Sequence, residues 1–199
     1  MKFFRSILLA ISLVSIPLTA IDKQAHIEGK FFSKLSDYRF FKDLTNQIPA
    51  DEVLPYQLQS ELFSDYTYKQ RFVYVPPAMK VEHEKNKVFM FPVGSVLIKT
   101  FSYQNTMSEL SPQLLETRLL IHSEGGWKAV SYIWNEDQTE AYLSLVGGTI
   151  QTSFSDEGDN IRSVRYRVPN KNQCKECHQI NASNSYWAKS KEYGSNFKL

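Results

Sequence analysis

Ser95-Val96-Leu97-Ile98-Lys99-Thr100-Phe101-Ser102-Tyr103 is the most strand-like stretch of the chain, rich in β-branched and aromatic residues and entered through Pro92 and Gly94. Similar runs lie on either side. Arg71-Phe72-Val73-Tyr74-Val75 stops at Pro76-Pro77, which cannot extend a central strand. Lys87-Val88-Phe89-Met90-Phe91 stops at Pro92. Glu116 to His122 and Trp127 to Trp134 read as a hairpin closed by Ser123-Glu124-Gly125-Gly126. Ala141 to Val146 ends at Gly147-Gly148, and the polar stretch Ser153 to Asn160 reads as a loop. Val164, Tyr166 and Val168 alternate with Ser163, Arg165 and Arg167, the period of a half-buried strand. An aromatic share of 14% suits pleated surfaces, where rings pack well. The spacing predicts a mainly β fold, a sandwich or small open barrel, over residues 53–168.

Residues 21–52 form a lead-in. Leu35-Ser36-Asp37-Tyr38 with Phe40, Phe41 and Leu44 gives a short helical or turn-rich apolar pattern that Pro49 ends. Residues 1–20 stand apart from the fold. Lys2 and Arg5 precede an apolar run to Leu18, and Leu18-Thr19-Ala20 offers a cleavage site, the pattern of a secretory signal peptide. The run is too short for a comfortable membrane span, and no other apolar segment is long enough for one. A periplasmic or secreted location is therefore expected, with no membrane span after cleavage. Removing residues 1–20 takes Lys2 and Arg5 from the 23 basic residues and leaves all 21 acidic ones, so the remaining chain is formally neutral. That balance argues against a nucleic-acid partner, which calls for a basic stripe.

The 2 cysteines of the chain fall in one pentapeptide, Cys174-Lys175-Glu176-Cys177-His178, just after Pro169 breaks the last strand. Cys-x-x-Cys-His is the attachment signature of c-type haem. Thiols spaced this way on one turn can each reach a vinyl group of the porphyrin, and the next His then lies beneath the iron as its proximal ligand. Residues 169–199 are thus expected to be a haem-attachment segment and tail, holding one haem c through Cys174 and Cys177 with His178 on the iron. Export and the motif support each other, because two thiols would not stay idle in an oxidising compartment. Other readings are a Cys174–Cys177 disulfide, a thiol–disulfide oxidoreductase, and a zinc site completed by His178 with His26, His83 or His122. An oxidoreductase places its motif early in a βαβ pattern, and no second Cys pair supports zinc.

Residues 179–199 contain neither Met nor His, so an expected sixth iron ligand comes from upstream. Met79, Met90, Met107, His26, His83 and His122 are the candidates, each also readable as an ordinary core or surface residue. An open distal side is the alternative and would leave the iron free for a small ligand such as NO, CO or peroxide.

Several stretches carry a resemblance. They are Leu35-Ser36-Asp37-Tyr38, Glu61-Leu62-Phe63-Ser64-Asp65-Tyr66 with Lys69 and Arg71, and Phe91-Pro92-Val93-Gly94-Ser95 running into Val96–Phe101. Glu116-Thr117-Arg118, Gly126-Trp127, Tyr132-Ile133-Trp134-Asn135 and Pro169-Asn170-Lys171-Asn172-Gln173-Cys174 follow. This set resembles a bacterial family of exported c-type cytochromes, often di-haem, of undetermined function, over about residues 30–180. The resemblance implies covalent haem and export. Family members carry a second haem-binding region, whereas this sequence shows one motif. A looser architectural similarity is to cytochrome c′-beta. It implies a β fold and a five-coordinate haem, in some relatives with a Lys cross-linked to the porphyrin, for which Lys99 is the matching position. Lys99 otherwise reads as an outward-facing strand lysine. Asp65, Lys69, Arg71, Glu116 and Arg118 read as an ion-pair network, or as the lining of a haem-propionate pocket, since the arginine fork matches a carboxylate. Trp127, Trp134, Phe91 and Phe101 read as core aromatics.

The sequence therefore predicts an exported c-type haem protein serving electron transfer or redox chemistry, its protein partner unidentified. The rivals are a haem enzyme or small-ligand binder with an open distal site, and a non-haem β-sandwich binding module with a disulfide at the motif.

Overall fold

A computed structural model of the 199-residue chain describes residues 20–58, 62–83, 89–104, 112–156 and 158–178, with backbone only for 175–178. The protein is mainly β. Its centre is a six-stranded sheet of order β3-β4-β5-β6-β7-β8. The strands are β3 (Val53–Pro55), β4 (Tyr68–Tyr74), β5 (Val96–Tyr103), β6 (Gln113–Ser123), β7 (Gly126–Trp134) and β8 (Ala141–Ser144), each antiparallel to its neighbour. Two hairpins flank it, β1 (Phe41–Asp43) with β2 (Ile48–Pro49) and β9 (Gly148–Ser155) with β10 (Ile161–Val168). Helix α1 spans Lys23–Glu28 and α2 spans Lys171–His178. Among the described residues, no helix is long and apolar enough to cross a membrane.

Side chains alternate between the faces of a strand, so the register sorts β4–β7 into two surfaces. Phe72, Tyr74, Val96, Ile98, Leu119, Ile121, Val130, Tyr132 and Trp134 share one face. The lead-in covers it with Ile21, Leu35, Tyr38 and Phe40. Backbone bonds along the β8 edge hold the lead-in there, from Leu35 N–H to the Ala141 carbonyl (2.9 Å) and from Leu143 N–H to the Ser33 carbonyl (3.0 Å). Several polar groups in this core are matched in pairs. The Tyr38 and Tyr132 hydroxyls lie 2.9 Å apart, and Tyr132 donates to the Phe32 carbonyl (2.8 Å). Thr100 donates to Gln47 Oε1 (2.6 Å), and Trp134 Nε1 donates to Thr117 Oγ1 (3.1 Å).

Sequence expectation and structure differ at three places. Of the helical or turn-rich pattern expected in the lead-in, Ser36–Tyr38 forms a 3-10 turn, whereas Phe41 belongs to a strand, because the Asp43 carboxylate accepts from Asn46 N–H (3.0 Å) and turns the chain into β2. Ser153 to Ser155 belong to β9 rather than a loop. Their polarity marks the outer side of a hairpin whose inner residue, Phe154, stacks on Tyr103 at 4.5 Å. Of the run Lys87–Phe91, Met90 makes only an isolated bridge to Glu82, while Lys87 and Val88 lie outside the described residues.

His26 on α1 is fully buried among Phe40, Tyr74 and Tyr38, with ring centroids 5.2–5.7 Å away. Among the described residues neither ring nitrogen has a hydrogen-bond partner. Burial lowers its pKa from 6.5 to about 4, against a smaller upward pull from Asp22. Between pH 6.5 and 4 the unfolded chain takes up a proton that the folded chain refuses, so stability falls as pH falls through that window. The loss expected is about 3 kcal/mol. Urea unfolding at pH 7 and pH 4 measures it, and His26→Leu should lose less on acidification than the parent. Equal acid losses in the two proteins would refute the assignment.

Gly147 joins β8 to β9 at φ 76°, and a Cβ there would meet the Val168 carbonyl at 2.4 Å. Gly147→Ala is expected to cost about 1–3 kcal/mol, read as a lowered thermal midpoint. An unchanged midpoint would mean the turn relaxes freely.

Candidate functional site

The motif is delivered by a helix whose start is set by the sequence. Pro169 ends β10, and Asn170 caps α2 by accepting from the N–H groups of Asn172 and Gln173 (3.0 Å each). Gln173 Oε1 accepts in return from Asn170 N–H (3.0 Å), a reciprocal capping box. Lys171 N–H bonds the Leu145 carbonyl (3.2 Å) and ties the helix to the turn after β8. Cys174 then enters the second face of the sheet, where it is 8% exposed. The side chains of Cys177 and His178 lie outside the described residues, although α2 includes both positions.

Strand pairing arranges that second face in rows. Val73, Leu97, Leu120 and Ala129 are successive cross-strand partners and form an apolar row. Cys174 packs with this row and with Phe91, while Tyr56, Phe89 and Trp127 close the edge. Two residues along each strand lies the next row, Arg71, Lys99, Arg118 and Ser131, at a spacing of about 7 Å. Beyond it come Lys69, Phe101, Glu116 and Ile133. On the other side of the apolar row, His122 pairs with Trp127. The motif helix therefore sits between a band of cations and an imidazole.

Arg71 is 5% exposed and Glu116 is fully buried. Glu116 is the carboxylate of this band among the described residues. It accepts from Arg118 Nε (2.9 Å) and Nη2 and from the Tyr166 hydroxyl, and its Oε2 has no described partner. Lys99 and Arg118 both lie over the Phe101 ring, at 4.6 and 4.3 Å from its centroid. Burial opposes the charge of Arg118. The Glu116 carboxylate outweighs burial and holds the guanidinium above its usual range, and Cys174 adds to that pull. Among the described residues no carboxylate bonds Lys99, and Glu116 gives only a smaller upward pull. Burial first, then Arg71, Arg118 and Lys69, lower its pKa from 10.5 to about 7.

These positions correct the sequence reading of Lys99, which is half-buried on the face that carries Cys174. Lys69, Arg71, Glu116 and Arg118 come together as expected, but Asp65 stays exposed on a turn. Tyr166, the phenol bonded to Glu116, was readable as an inward residue of β10 but not as a partner to a carboxylate. Phe91, Phe101 and Trp134 are buried, and Trp127 is half-buried at the rim of the motif cluster. The six candidate iron ligands separate clearly. His26 is buried under the opposite face, and Met79 and Met90 are 53% and 55% exposed. His83 is exposed beside Phe89, Met107 lies outside the described residues, and His122 is half-buried on the motif face. Among the described residues, no three His, Cys, Asp or Glu side chains converge as a metal site.

Of the residues expected to hold a haem, Cys174 alone has a described side chain, and it packs in an apolar, aromatic-rimmed cluster next to the cation band. A separate open cleft of about 480 Å³, lined by Tyr66, Tyr103, Phe154 and Arg162, lies at the far end of β5.

Lys99 gives this band a measurable signature. Between pH 7 and 10.5 the unfolded chain carries a proton that the folded chain has released, so stability rises with pH across that window. Below pH 7 the full penalty of burying the charge applies. Lys99→Met should be more stable than the parent at pH 7 and flatter between pH 7 and 10, by urea unfolding of protein made without c-type maturation machinery. A parent curve as flat as the variant's would contradict the assignment. Comparison with protein-family models, with curated proteins and with solved structures finds no match, so the functional reading rests on these residues themselves.

Proposed function

We propose that this chain is an exported c-type haem protein that serves electron transfer. Cys174 and Cys177 anchor one haem c through thioether bonds, and His178 binds the iron from the proximal side. The observation that carries the reading is the seat of Cys174. Both cysteines of the chain and the adjoining His occupy one capped helix, and the first cysteine lies on an apolar row bordered by cations. When bound, the haem supplies a one-electron iron couple.

The chain's own residues do the rest. Val73, Leu97, Leu120 and Ala129 exclude water from one side of the motif. Lys99 and Arg118 compensate the propionate charges, and Arg118 offers a fork matched to a carboxylate. Glu116 and Tyr166 fix that fork in place. In this reading the β region is a sandwich or small open barrel ending in the haem-attachment segment. The resemblance to exported c-type cytochromes implies covalent haem and export, in keeping with a periplasmic location after removal of residues 1–20.

An absorption spectrum of oxidised and reduced protein, matured with c-type haem machinery, tests the proposal. A haem band that survives denaturation in the parent and vanishes in Cys174→Ala/Cys177→Ala is the expected result. Haem-free parent protein from a competent host would overturn it and leave the disulfide-bearing binding module.

A further inference from the structure

The open cleft at the far end of β5 is built from residues that the proposed haem site does not use. The Tyr66, Tyr103 and Phe154 rings line it together with Asp156, Asn160 and Arg162. At about 480 Å³ it falls within the size range of small-molecule sites.

Its aromatic side runs from the core into solvent. Tyr103 and Phe154 stack at 4.5 Å with 3° between the planes, and Tyr66 tilts onto Phe154 at 5.9 Å. Phe63 meets Tyr66 edge-on at 5.0 Å. Tyr103 and Phe154 are buried, whereas Tyr66 and Phe63 are 64% and 65% exposed. Adjoining large rings left in water mark an interaction surface. The backbone is strained to keep Tyr66 there. Asp65 and Tyr66 have φ 45° and 61°, and Thr67 N–H bonds the Ser64 carbonyl (2.9 Å). A turn with two left-handed central residues favours Asp-Gly, so a tyrosine in the second place is costly. Tyr103 fixes the turn by donating to the Asp65 carbonyl (2.7 Å). Strain of this kind persists where the presented side chain has a use.

The polar side is preorganised. Asp156 Oδ1 accepts from the N–H groups of Gly158 and Asn160 (3.0 Å each), and Oδ2 accepts from Arg162 Nε (2.6 Å). The Arg162 guanidinium lies over Tyr66, 6.0 Å from its centroid. Among the described residues none hydrogen-bonds its Nη groups. Arg162 first, then the loop N–H groups, hold the Asp156 pKa down at about 2. The pair therefore stays ionised. Asp156 and Arg162 are the charged residues of the lining, so the cleft has no net charge. Such a cleft offers an anion or a cation no net attraction. An aromatic face attracts C–H groups, and the Nη and Asn160 amide groups suit hydroxyls. A sugar ring presents both, C–H groups on its faces and hydroxyls around its edge.

We propose that this cleft binds a short neutral oligosaccharide, one ring stacked on Tyr66 with its hydroxyls bonded to Arg162 Nη. The proposal stands independently of the haem reading.

Saturation-transfer NMR of the purified protein with cellotriose, maltotriose and chitotriose tests it, with trigalacturonate as the charged control. At least one neutral sugar should bind, and trigalacturonate should bind no better. Tyr66→Gly should weaken that binding about tenfold or more. Its thermal midpoint should be no lower than the parent's, because Asp-Gly suits the turn. Arg162→Lys keeps the charge but not the fork, and should weaken binding at an unchanged midpoint. Unchanged binding by Tyr66→Gly, or a lowered midpoint that made its ring structural, would overturn the assignment. So would binding of none of the neutral sugars, or of trigalacturonate alone.

Discussion

The pairing of β5 with β6 is the constraint on which the rest depends. Val96 faces Ile121, Leu97 faces Leu120, Ile98 faces Leu119 and Lys99 faces Arg118. With a side-chain period of two, that register alone decides which residues face the tyrosine-rich core and which face the motif helix. A slip of one residue on either strand would drive Lys99 or Arg118 among Tyr38, Phe40 and Tyr132. It would also turn Leu97 and Leu120 away from Cys174. The lead-in covers one face and α2 with the β9–β10 hairpin covers the other, and none of them has a surface to bind without the correct register.

The cation band is the least expected part of this arrangement on stability grounds. Like charges directly opposite on neighbouring strands repel, and Arg71, Lys99 and Arg118 are successive partners. Part of the cost is offset by Glu116, by Tyr166 and by the Phe101 ring beneath Lys99 and Arg118. Well-packed hydrophobic residues often do better than buried ion pairs, and the adjacent row shows this sheet accommodating them. A half-buried lysine whose pKa falls to about 7 is a charge the isolated fold does not favour. An anion docked beside Cys174 would restore that charge, as the carboxylates of the proposed haem would.

Most strands were legible as β-branched and aromatic runs bounded by Pro and Gly, and Ser95–Tyr103 falls within one residue of β5. The motif was legible because its chemistry is local, five residues on one turn. Features that depend on pairing were not legible. Lys99 reads as an outward residue until Arg71 and Arg118 are placed on either side of it. The six candidate ligands read alike until the sheet separates His26 on one face from His122 on the other. The strand through Ser155 was hidden by its own polarity, since an exposed hairpin side and a loop have the same composition.

The remaining rival at the motif is a Cys174–Cys177 disulfide, and the structure bears on what that bond could do. A cross-link stabilises chiefly by restricting the unfolded chain, and its effect is smallest for the shortest loop. Cys-x-x-Cys closes about the shortest loop a helix allows, and α2 is already fixed by its capping box and by the Lys171–Leu145 bond. A staple there would add little and would leave His178 and the cation band without a role. One covalent group held by the helix beside the cations would give both a role, and that economy is the ground on which the haem is proposed.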